Sequence, residues 1–215
     1  NIYLSSNMEY FDRTLIEKIF KYNLGNTLKY VIASLDGVSE NIHSTNRIGV
    51  NTKKAYSNTE LFLKLRKENF SFYPWLFPRM LINKTNEMEE ESFYNFWKFK
   101  ADKVLRTKMH NWGGQVNSKN MYINKDNFSS KCFFPFNQCF IQIDGSIRLC
   151  CLDVNGNNIY GDLEKSTIKK IWSGIDYNNL RKAIMDNDVE KLPSLCKNCT
   201  YPSKGQWTLP FFWEK

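Results

Sequence analysis

The sequence predicts an α/β domain over residues 1–115, a linker over residues 116–131, and a small α+β domain over residues 132–215. Strand-like and helix-like segments alternate as far as residue 109, and a polar stretch without periodicity follows them. All six cysteines lie in the last third of the 215-residue chain. Strands separated by helices indicate βαβ units and a parallel sheet.

The first domain is expected to contain four strands and three helices. The strands are predicted at residues 2–4, 28–35, 70–82 and 102–109, and the third of them carries Pro74 and Pro78. One helix is predicted at 14–22, and a second begins at a Thr52 cap and shares Ala55, Phe62 and Leu65 on one face. The third is predicted at 85–99, with Thr85 or Asn86 as its cap. Four strands are too few for an eight-stranded barrel, so we expect a partial barrel or part of an open sheet, with strand 2–4 at an unpaired edge.

The last third of the chain has a different pattern. Alternating apolar residues flank Asp144-Gly145, which is typical of a β-hairpin with a two-residue turn; they are Ile141, Ile143, Ile147 and Leu149. Short helices are predicted at 166–172 and 176–187, before a closing C-x-x-C.

Charge and composition limit the classes of partner. The formal net charge is +8, but lysines and arginines are interleaved with acidic residues. We therefore expect a solvated basic surface rather than a nucleic-acid partner. Because no signal peptide and no apolar run of roughly 20 residues is present, we expect a cytoplasmic chain without a membrane partner. The chain starts at Asn1 with strand-like residues, so we also expect further sequence upstream.

Three explanations of the cysteines compete. Disulfides suit secreted chains, which this sequence does not resemble. Buried structural cysteines explain one or two of the six thiols, but not a C-x-x-C pair together with a cysteine at the end of a hairpin. The third explanation is a metal centre with four thiolate ligands, either zinc or an iron–sulfur cluster.

Cys132, Gly145 and Cys150 follow one another at a characteristic spacing. The motifs that come after them are, in order, Gly161-Asp162-Leu163, Ile171-Trp172, Leu180-Arg181, Cys196 and Cys199. This order and spacing resemble the SPASM or twitch domain of radical SAM enzymes. The resemblance implies an auxiliary 4Fe-4S cluster with Cys132, Cys150, Cys196 and Cys199 as ligands. Cys139 and Cys151 are then expected to be structural and to stand outside the ligand set.

The first domain carries weaker motifs of the same family. "LSSNM" at 4–8 resembles a barrel strand end, and "VIASLDGVSENIHSTNRIG" at 31–49 resembles a later strand, turn and arginine. By this resemblance Asn7, Ser34 and Arg47 approach bound S-adenosylmethionine. The fold class that follows is the later half of a partial (β/α) radical SAM-type barrel before a SPASM/twitch domain. For Trp112 we expect a packing role.

The sequence departs from the family at one important point. The C-x-x-x-C-x-x-C motif that holds the radical-generating cluster is absent, because residues 1–131 contain no cysteine. We therefore expect the C-terminal portion of an enzyme, inactive by itself. The resemblance implies a peptide or protein substrate for the full-length enzyme. The alternatives are a non-catalytic 4Fe-4S or zinc-binding interaction module, and a basic nucleic-acid-binding protein with a structural zinc site.

Overall fold

The computed structural model describes residues 1–23, 26–116, 119–121 and 132–199. The chain divides into two compact units, Asn1–Met109 and His110–Lys215. Most of the predicted linker at 116–131 lies outside the described residues. None of the helices in the described part of the chain is long and apolar enough to cross a membrane.

The first unit is a parallel α/β structure. Its elements in chain order are β1 (Ile2–Ser6), α1 (Arg13–Tyr22), β2 (Leu28–Ser34), α2 (Glu40–Asn46), α3 (Thr52–Glu68), β3 (Trp75–Ile82), α4 (Glu90–Trp97) and β4 (Leu105–Lys108). The four strands pair in the order β1-β2-β3-β4, and all pairs are parallel. Because right-handed crossovers between successive strands place their helices on the same side, one face of this sheet carries the helices.

The two faces of the sheet differ in what covers them. Among the described residues, one face forms a cluster of strand residues alone, namely Tyr30, Ile32, Phe77, Trp75 and Leu105. Side chains alternate along a strand, so Val31, Ala33, Leu76 and Met80 point to the opposite face, where all four are completely buried. The helices therefore cover the second face, and the first is the helix-free face. β1 lies at an edge of the sheet, as expected, and Ile2 is 56% exposed there.

The start of α3 corrects the predicted cap. Asn51, and not Thr52, is the N-cap, because Asn51 has extended backbone angles and its Oδ1 accepts the Lys54 N–H at 2.9 Å. Thr52 is the first helical residue, and its Oγ1 lies 2.9 Å from Nδ1 of the buried His43. Helix α2, which contains His43, was not predicted; Ser39 caps it through the Ile42 N–H.

The predicted helix at 85–99 is shorter in the structure. A 3₁₀ turn at Glu87–Glu89 precedes α4, and the side chain of Asn86 makes no cap bond. Instead Asn86 Oδ1 accepts the Asn83 N–H at 2.8 Å, and its Nδ2 donates to the carbonyls of Asp36 at 2.9 Å and Leu81 at 3.1 Å. The side chain that was expected to start a helix therefore ties two strand ends together.

Pro78 lies inside β3, yet its missing N–H removes no hydrogen bond between β3 and its neighbouring strands β2 and β4 as the structure describes them. Pro78 pairs with Ala33 of β2, whereas pairing with β4 begins one residue later, at Arg79. The Arg79 carbonyl accepts the Leu35 N–H at 2.9 Å, so Arg79 points toward β2 and Pro78 points the other way. The missing N–H therefore faces a side on which β4 has not yet started.

The second unit is a small α+β structure with a hairpin and short helices, as predicted. Its elements are α5 (Phe134–Asn137), β5 (Phe140–Ile141), β6 (Ser146–Arg148), β7 (Ile159–Asp162), α6 (Ile168–Trp172), α7 (Ile175–Met185) and α8 (Ser194–Lys197). The strands form an antiparallel sheet in the order β5-β6-β7. Strand β7 was not predicted.

The hairpin register differs by one residue from the prediction. Ile141 pairs with Ile147, and the Gln142 N–H donates to the Ser146 carbonyl at 2.8 Å, so the loop contains the three residues 143–145. Gly145 takes a φ of +83°, which a three-residue loop with a final left-handed position requires. The two-residue turn was therefore wrong. In consequence Ile143 is fully exposed at the tip, while Ile147 is fully buried.

We predict that Asn86→Ala destabilises the first unit by about 3 kcal/mol, because it leaves buried backbone groups at both strand ends without partners. Urea unfolding followed by circular dichroism measures the change. Asn95→Ala is the matched control, since Asn95 is exposed on α4 and bonds Glu91 and Lys98 at the surface. Equal midpoints for the two variants would contradict the role assigned to Asn86.

Candidate metal centre and strand-end site

Four of the six cysteines share the core of the second unit. Its buried residues are Phe134, Leu149, Cys150, Leu152, Leu180, Ala183, Ile184, Leu192 and Leu195. Cys132, Cys196 and Cys199 are half-buried and pack against this core. Cys139 packs instead against a second cluster that contains Ile147, Ile171 and Tyr177, and Cys151 is exposed.

Local backbone structure positions these thiols. Cys150 follows β6, and its carbonyl accepts the Asp153 N–H at 3.1 Å, which closes a turn after the hairpin. Cys196 lies in α8, and the Cys199 N–H donates to the Cys196 carbonyl at 3.1 Å, so one turn joins both members of the C-x-x-C. No group of three or more His, Cys, Asp or Glu side chains in the described residues is arranged to hold a single metal ion.

The thiols influence one another electrostatically. Burial is the main cause that raises the pKa of Cys150 to about 12, and the charges of Cys151 and Cys132 contribute to the same rise. Burial raises the pKa of Cys196 well above its ordinary value, with added contributions from Cys132, Cys150 and Cys199. Without cations among them these thiols therefore stay protonated. Metal ions favour the thiolate form, so a metal centre here is coupled to proton release.

Cys151 is exposed as a residue, but its thiol is covered. Burial of the thiol, with a contribution from the charge of Cys132, raises the pKa of Cys151 to about 11. The pKa of Cys139 is raised by burial alone, without a contribution from the charges of the other cysteines.

Asp153 is a buried carboxylate beside the thiols that the sequence reasoning missed. Its two oxygens accept the backbone N–H groups of Asn157 at 3.1 Å and Asn158 at 2.8 Å. Arg148 Nη1 donates to the Asp153 carbonyl at 3.0 Å, and the carboxylate charge adds to the raised pKa of Cys196. Asp153 thus fixes the loop that follows Cys150. The signal was its position in the turn "CCLD", directly after the hairpin.

Two of the three residues predicted to contact S-adenosylmethionine lie at strand ends of the first unit, and the third, Arg47, ends a helix. Asn7 follows β1 and Ser34 ends β2, and the register pairs Ser6 with Ala33. Asn7 Oδ1 accepts the Glu9 N–H at 3.1 Å, and Ser34 Oγ lies 3.4 Å from Ser5 Oγ. Arg47 follows α2, and its Nε lies 2.6 Å from Asp36 Oδ2.

The Asp36-Gly37 turn is held from several sides. Asp36 Oδ1 accepts the Leu81 N–H at 2.7 Å, and Tyr56 donates its hydroxyl to the Gly37 carbonyl at 2.5 Å. Glu89 Oε2 accepts the Val38 N–H at 2.6 Å. A Cβ at Gly37 would lie 2.6 Å from Ile42 Cγ2, so no larger residue fits there. This turn therefore sets the position of the β2 end relative to α2.

Arg79 is a second residue at these strand ends that the sequence reasoning missed. Arg79 pairs with Ser34 in the sheet, and its Nη2 donates to Ser34 Oγ at 3.0 Å. Burial lowers the pKa of the Arg79 guanidinium, and the charge of Arg47 lowers it further. The available signal was one arginine inside the otherwise apolar strand "WLFPRMLI".

A family model matches part of the second unit. The family model of SPASM, an iron–sulfur cluster-binding domain, matches residues 132–200. No curated protein matches the chain. Among solved structures, native anSMEcpe with bound AdoMet has a TM-score of 0.61 at 16% identity, covering 92% of this chain and 64% of that chain. Native anSMEcpe with bound AdoMet and Cp18Cys peptide has a TM-score of 0.60 at 15% identity, covering 92% and 65%.

These similarities confirm the expected resemblance and the fold class. The structural likeness concerns the fold, a parallel α/β part and a SPASM domain, at low sequence identity. The chain spans about 64% of the length of the matched anSMEcpe chain.

We predict that the stability of the first unit falls as the pH decreases below about 6.5 because of His43. Burial lowers the pKa of His43, Asp36 opposes this and Arg47 adds to it, so the unfolded chain binds the proton more readily. The contribution is present above the unfolded pKa and is lost as the pH falls through the window below it, by at most about 1.4 kcal/mol per pH unit.

Urea unfolding at pH 7, 6 and 5 measures this slope. His43→Asn is expected to flatten it, and His110→Asn, which removes the other histidine of the chain, is expected to leave it unchanged. An identical pH dependence in wild type and His43→Asn would show that His43 titrates normally.

Proposed function

We propose that this chain is the cluster-carrying portion of a radical SAM/SPASM enzyme, since residues 132–200 match the family model of SPASM, an iron–sulfur cluster-binding domain. The observation that carries the proposal is the grouping of Cys132, Cys150, Cys196 and Cys199 on one core inside the matched segment. The fold of the whole chain, shared with AdoMet-bound anSMEcpe, supports the same conclusion.

The four cysteines are the proposed ligands of one auxiliary 4Fe-4S cluster. They fit this group chemically, because four thiolates are the ligands such clusters take, and packing brings the thiols to one core. When bound, the cluster supplies electron transfer near the substrate or supports the substrate directly. The protein holds the cysteines on short elements, keeps water from Cys150 by burial, and fixes the loop after Cys150 through Asp153.

At the strand ends of the first unit, Asn7, Ser34 and Arg47 are the proposed contacts of S-adenosylmethionine. Asn7 and Ser34 lie at the C-terminal ends of parallel strands, where α/β folds bind ligands, and Arg47 pairs with Asp36 just after the end of β2. The Arg47–Asp36 pair at 2.6 Å and the Ser34–Arg79 bond at 3.0 Å hold two of these side chains in defined positions. The proposed role of these residues is to bind and orient the cofactor.

For the substrate we propose a peptide or protein. The support is limited to the similar fold of anSMEcpe structures, which carry the peptides Kp18Cys and Cp18Cys. The alternative function is a zinc-binding interaction module, which would hold zinc instead of iron and sulfide. Measurement of the bound metal therefore decides between the two functions.

We predict that the chain, produced anaerobically with iron and sulfide, binds about four irons and four sulfides per chain. Serine variants of Cys132, Cys150, Cys196 and Cys199 are each expected to lose most of this iron, because a cluster with three thiolates is labile. Iron and sulfide assays with electron paramagnetic resonance of the reduced protein measure the content.

The matched controls are Cys139→Ser and Cys151→Ser, which are expected to retain the wild-type iron content. One zinc per chain without sulfide would instead establish the interaction module. Loss of iron in Cys151→Ser with retention in Cys150→Ser would exchange these two residues in the ligand set.

A further inference from the structure

The edge of the first unit at which the parallel strands begin exposes large aromatic side chains on two neighbouring loops. One loop joins α3 to β3 and the other joins α4 to β4, so both lie opposite the strand ends of the proposed cofactor contacts. Phe70 and Phe72 of the first loop are 97% and 69% exposed, and Phe99 of the second is 89% exposed. Exposed apolar side chains that cluster in this way mark an interaction surface, unlike those that are scattered singly.

Phe70 occupies a backbone position that disfavours phenylalanine. It follows Asn69, the C-cap of α3, with a φ of +50°, and its N–H donates to the Lys67 carbonyl at 3.0 Å. This is the left-handed position after a helix, where glycine is preferred because it has no Cβ to crowd the backbone. The ring buries almost no surface in return, so packing within the described residues does not account for it. A strained and exposed aromatic residue points to a contact with another molecule.

The carboxylate of Asp102 holds the two loops together. Arg66 Nη1 lies 2.6 Å from Asp102 Oδ2, and Arg66 Nη2 lies 3.1 Å from Asp102 Oδ1. The same Oδ2 accepts the Leu76 N–H at 2.7 Å, and Arg66 Nη1 also donates to the Pro74 carbonyl at 3.0 Å. The α4–β4 loop is thus bonded to the end of α3 and to the start of β3, which places the exposed rings on one surface.

Lysines at this edge surround the rings with positive charge. Asp102 is engaged by Arg66, and Glu68 lies 3.8 Å from Lys64, so these two carboxylates already have partners. Among the residues that the structure describes, five lysines at the helix ends and strand starts of this edge form no ion pair; they are Lys21, Lys29, Lys67, Lys98 and Lys103. The edge therefore combines apolar rings with cations that are free to meet an anionic partner.

This combination fits the surface of a lipid bilayer. A phenylalanine ring has no hydrogen-bonding group, so it gains free energy when it leaves water for the boundary between headgroups and acyl chains. The apolar stems of lysines can lie along the same boundary while their ammonium groups reach anionic headgroups. A nucleic acid or an acidic protein would also attract the lysines. Such partners are better served by rings that line a groove, whereas Phe70 protrudes from a loop.

We propose that the α3–β3 and α4–β4 loops bind the surface of a bilayer that contains anionic lipids. Phe70, Phe72 and Phe99 enter the headgroup boundary, and the surrounding lysines contact the headgroups. The strand ends that carry Asn7 and Ser34 then face away from the bilayer. The expectation of no membrane partner rested on the lack of an apolar run that could span a bilayer, and a peripheral contact needs no such run.

Flotation of the full chain with lipid vesicles tests the proposal. Vesicles of phosphatidylcholine with about 30% phosphatidylglycerol are compared with vesicles of phosphatidylcholine alone, in about 0.05 M and about 0.5 M salt. We expect binding to the anionic vesicles to be about 10-fold stronger at low salt, and this preference to be largely lost at high salt, because salt screens exposed charges. Binding to neither kind of vesicle, or equal binding to both at low salt, would overturn the proposal.

Phe70→Gly separates a role in binding from a role in folding. Because glycine suits the left-handed position, we expect the variant to melt at a temperature no lower than that of the wild type. Loss of the ring is expected to weaken binding to the anionic vesicles about 10-fold. The double variant Lys67→Gln, Lys103→Gln is expected to lower the preference for anionic vesicles by a similar factor.

Ile48→Ser is the matched control. Ile48 is 91% exposed in the loop between α2 and α3, at the other end of α3 from Phe70. We expect this variant to bind vesicles as the wild type does, and an equal loss in Ile48→Ser and Phe70→Gly would overturn the proposal. Single-stranded oligothymidine is the second probe: binding to it through Lys67 and Lys103, without binding to vesicles, would assign the surface to nucleic acid instead. The metal content does not enter these measurements, so this proposal and the proposed function fail independently.

Discussion

The core of the second unit contains thiols where a domain of its size would ordinarily place aliphatic side chains. Cys150 is buried among leucines, and three further cysteines pack against the same cluster. Protonated thiols are tolerated there because their pKa values are raised by burial and by one another. The proposed metal centre would convert these thiols into ligands and would add bonds between α8, the end of the hairpin and the segment before α5. Folding and metal binding are therefore expected to be linked in this unit.

Asp153 constrains the loop that follows Cys150. A buried carboxylate is stable only when donors surround it, and two backbone N–H groups of the following loop do so. The backbone N–H of Asp153 donates to the Cys150 carbonyl, and the Asp153 carbonyl accepts a hydrogen bond from Arg148. The loop after the hairpin is thus determined by one acidic side chain, which holds Cys150 in place while β7 returns to pair with β6.

The first unit uses a related arrangement at its strand ends. Asp36 connects the end of β2 to β3 through the Leu81 N–H and to α2 through Arg47. Asn86 bonds the Asp36 carbonyl from the segment after β3. These bonds fix the ends of β2 and β3 against each other and against α2.

Local sequence determined the four strands of the first unit and three of its helices, α1, α3 and α4, because apolar periodicity is a property of neighbouring residues. The resemblance to the SPASM domain implied a shared centre for Cys132, Cys150, Cys196 and Cys199, and this ligand set stays a prediction. The hairpin register was missed by one residue because Asp144-Gly145 suits both a two-residue turn and a three-residue loop. Only the pairing of β6 with both neighbours decides between them.

Tertiary structure decided which residues cap the helices and which charged side chains have partners. Asn51 and Thr52 are both competent caps, and the contact of Thr52 with His43, a residue of another helix, assigns each its place. Asn86 is of a residue type that often caps helices, but its side chain bonds the carbonyls of Asp36 and Leu81, which are distant from each other in sequence. Whether Arg79 has a partner depends on which acidic residues fold beside it, and Asp36 is already engaged by Arg47 and by the Leu81 N–H. Such properties depend on long-range neighbours, which no local pattern encodes.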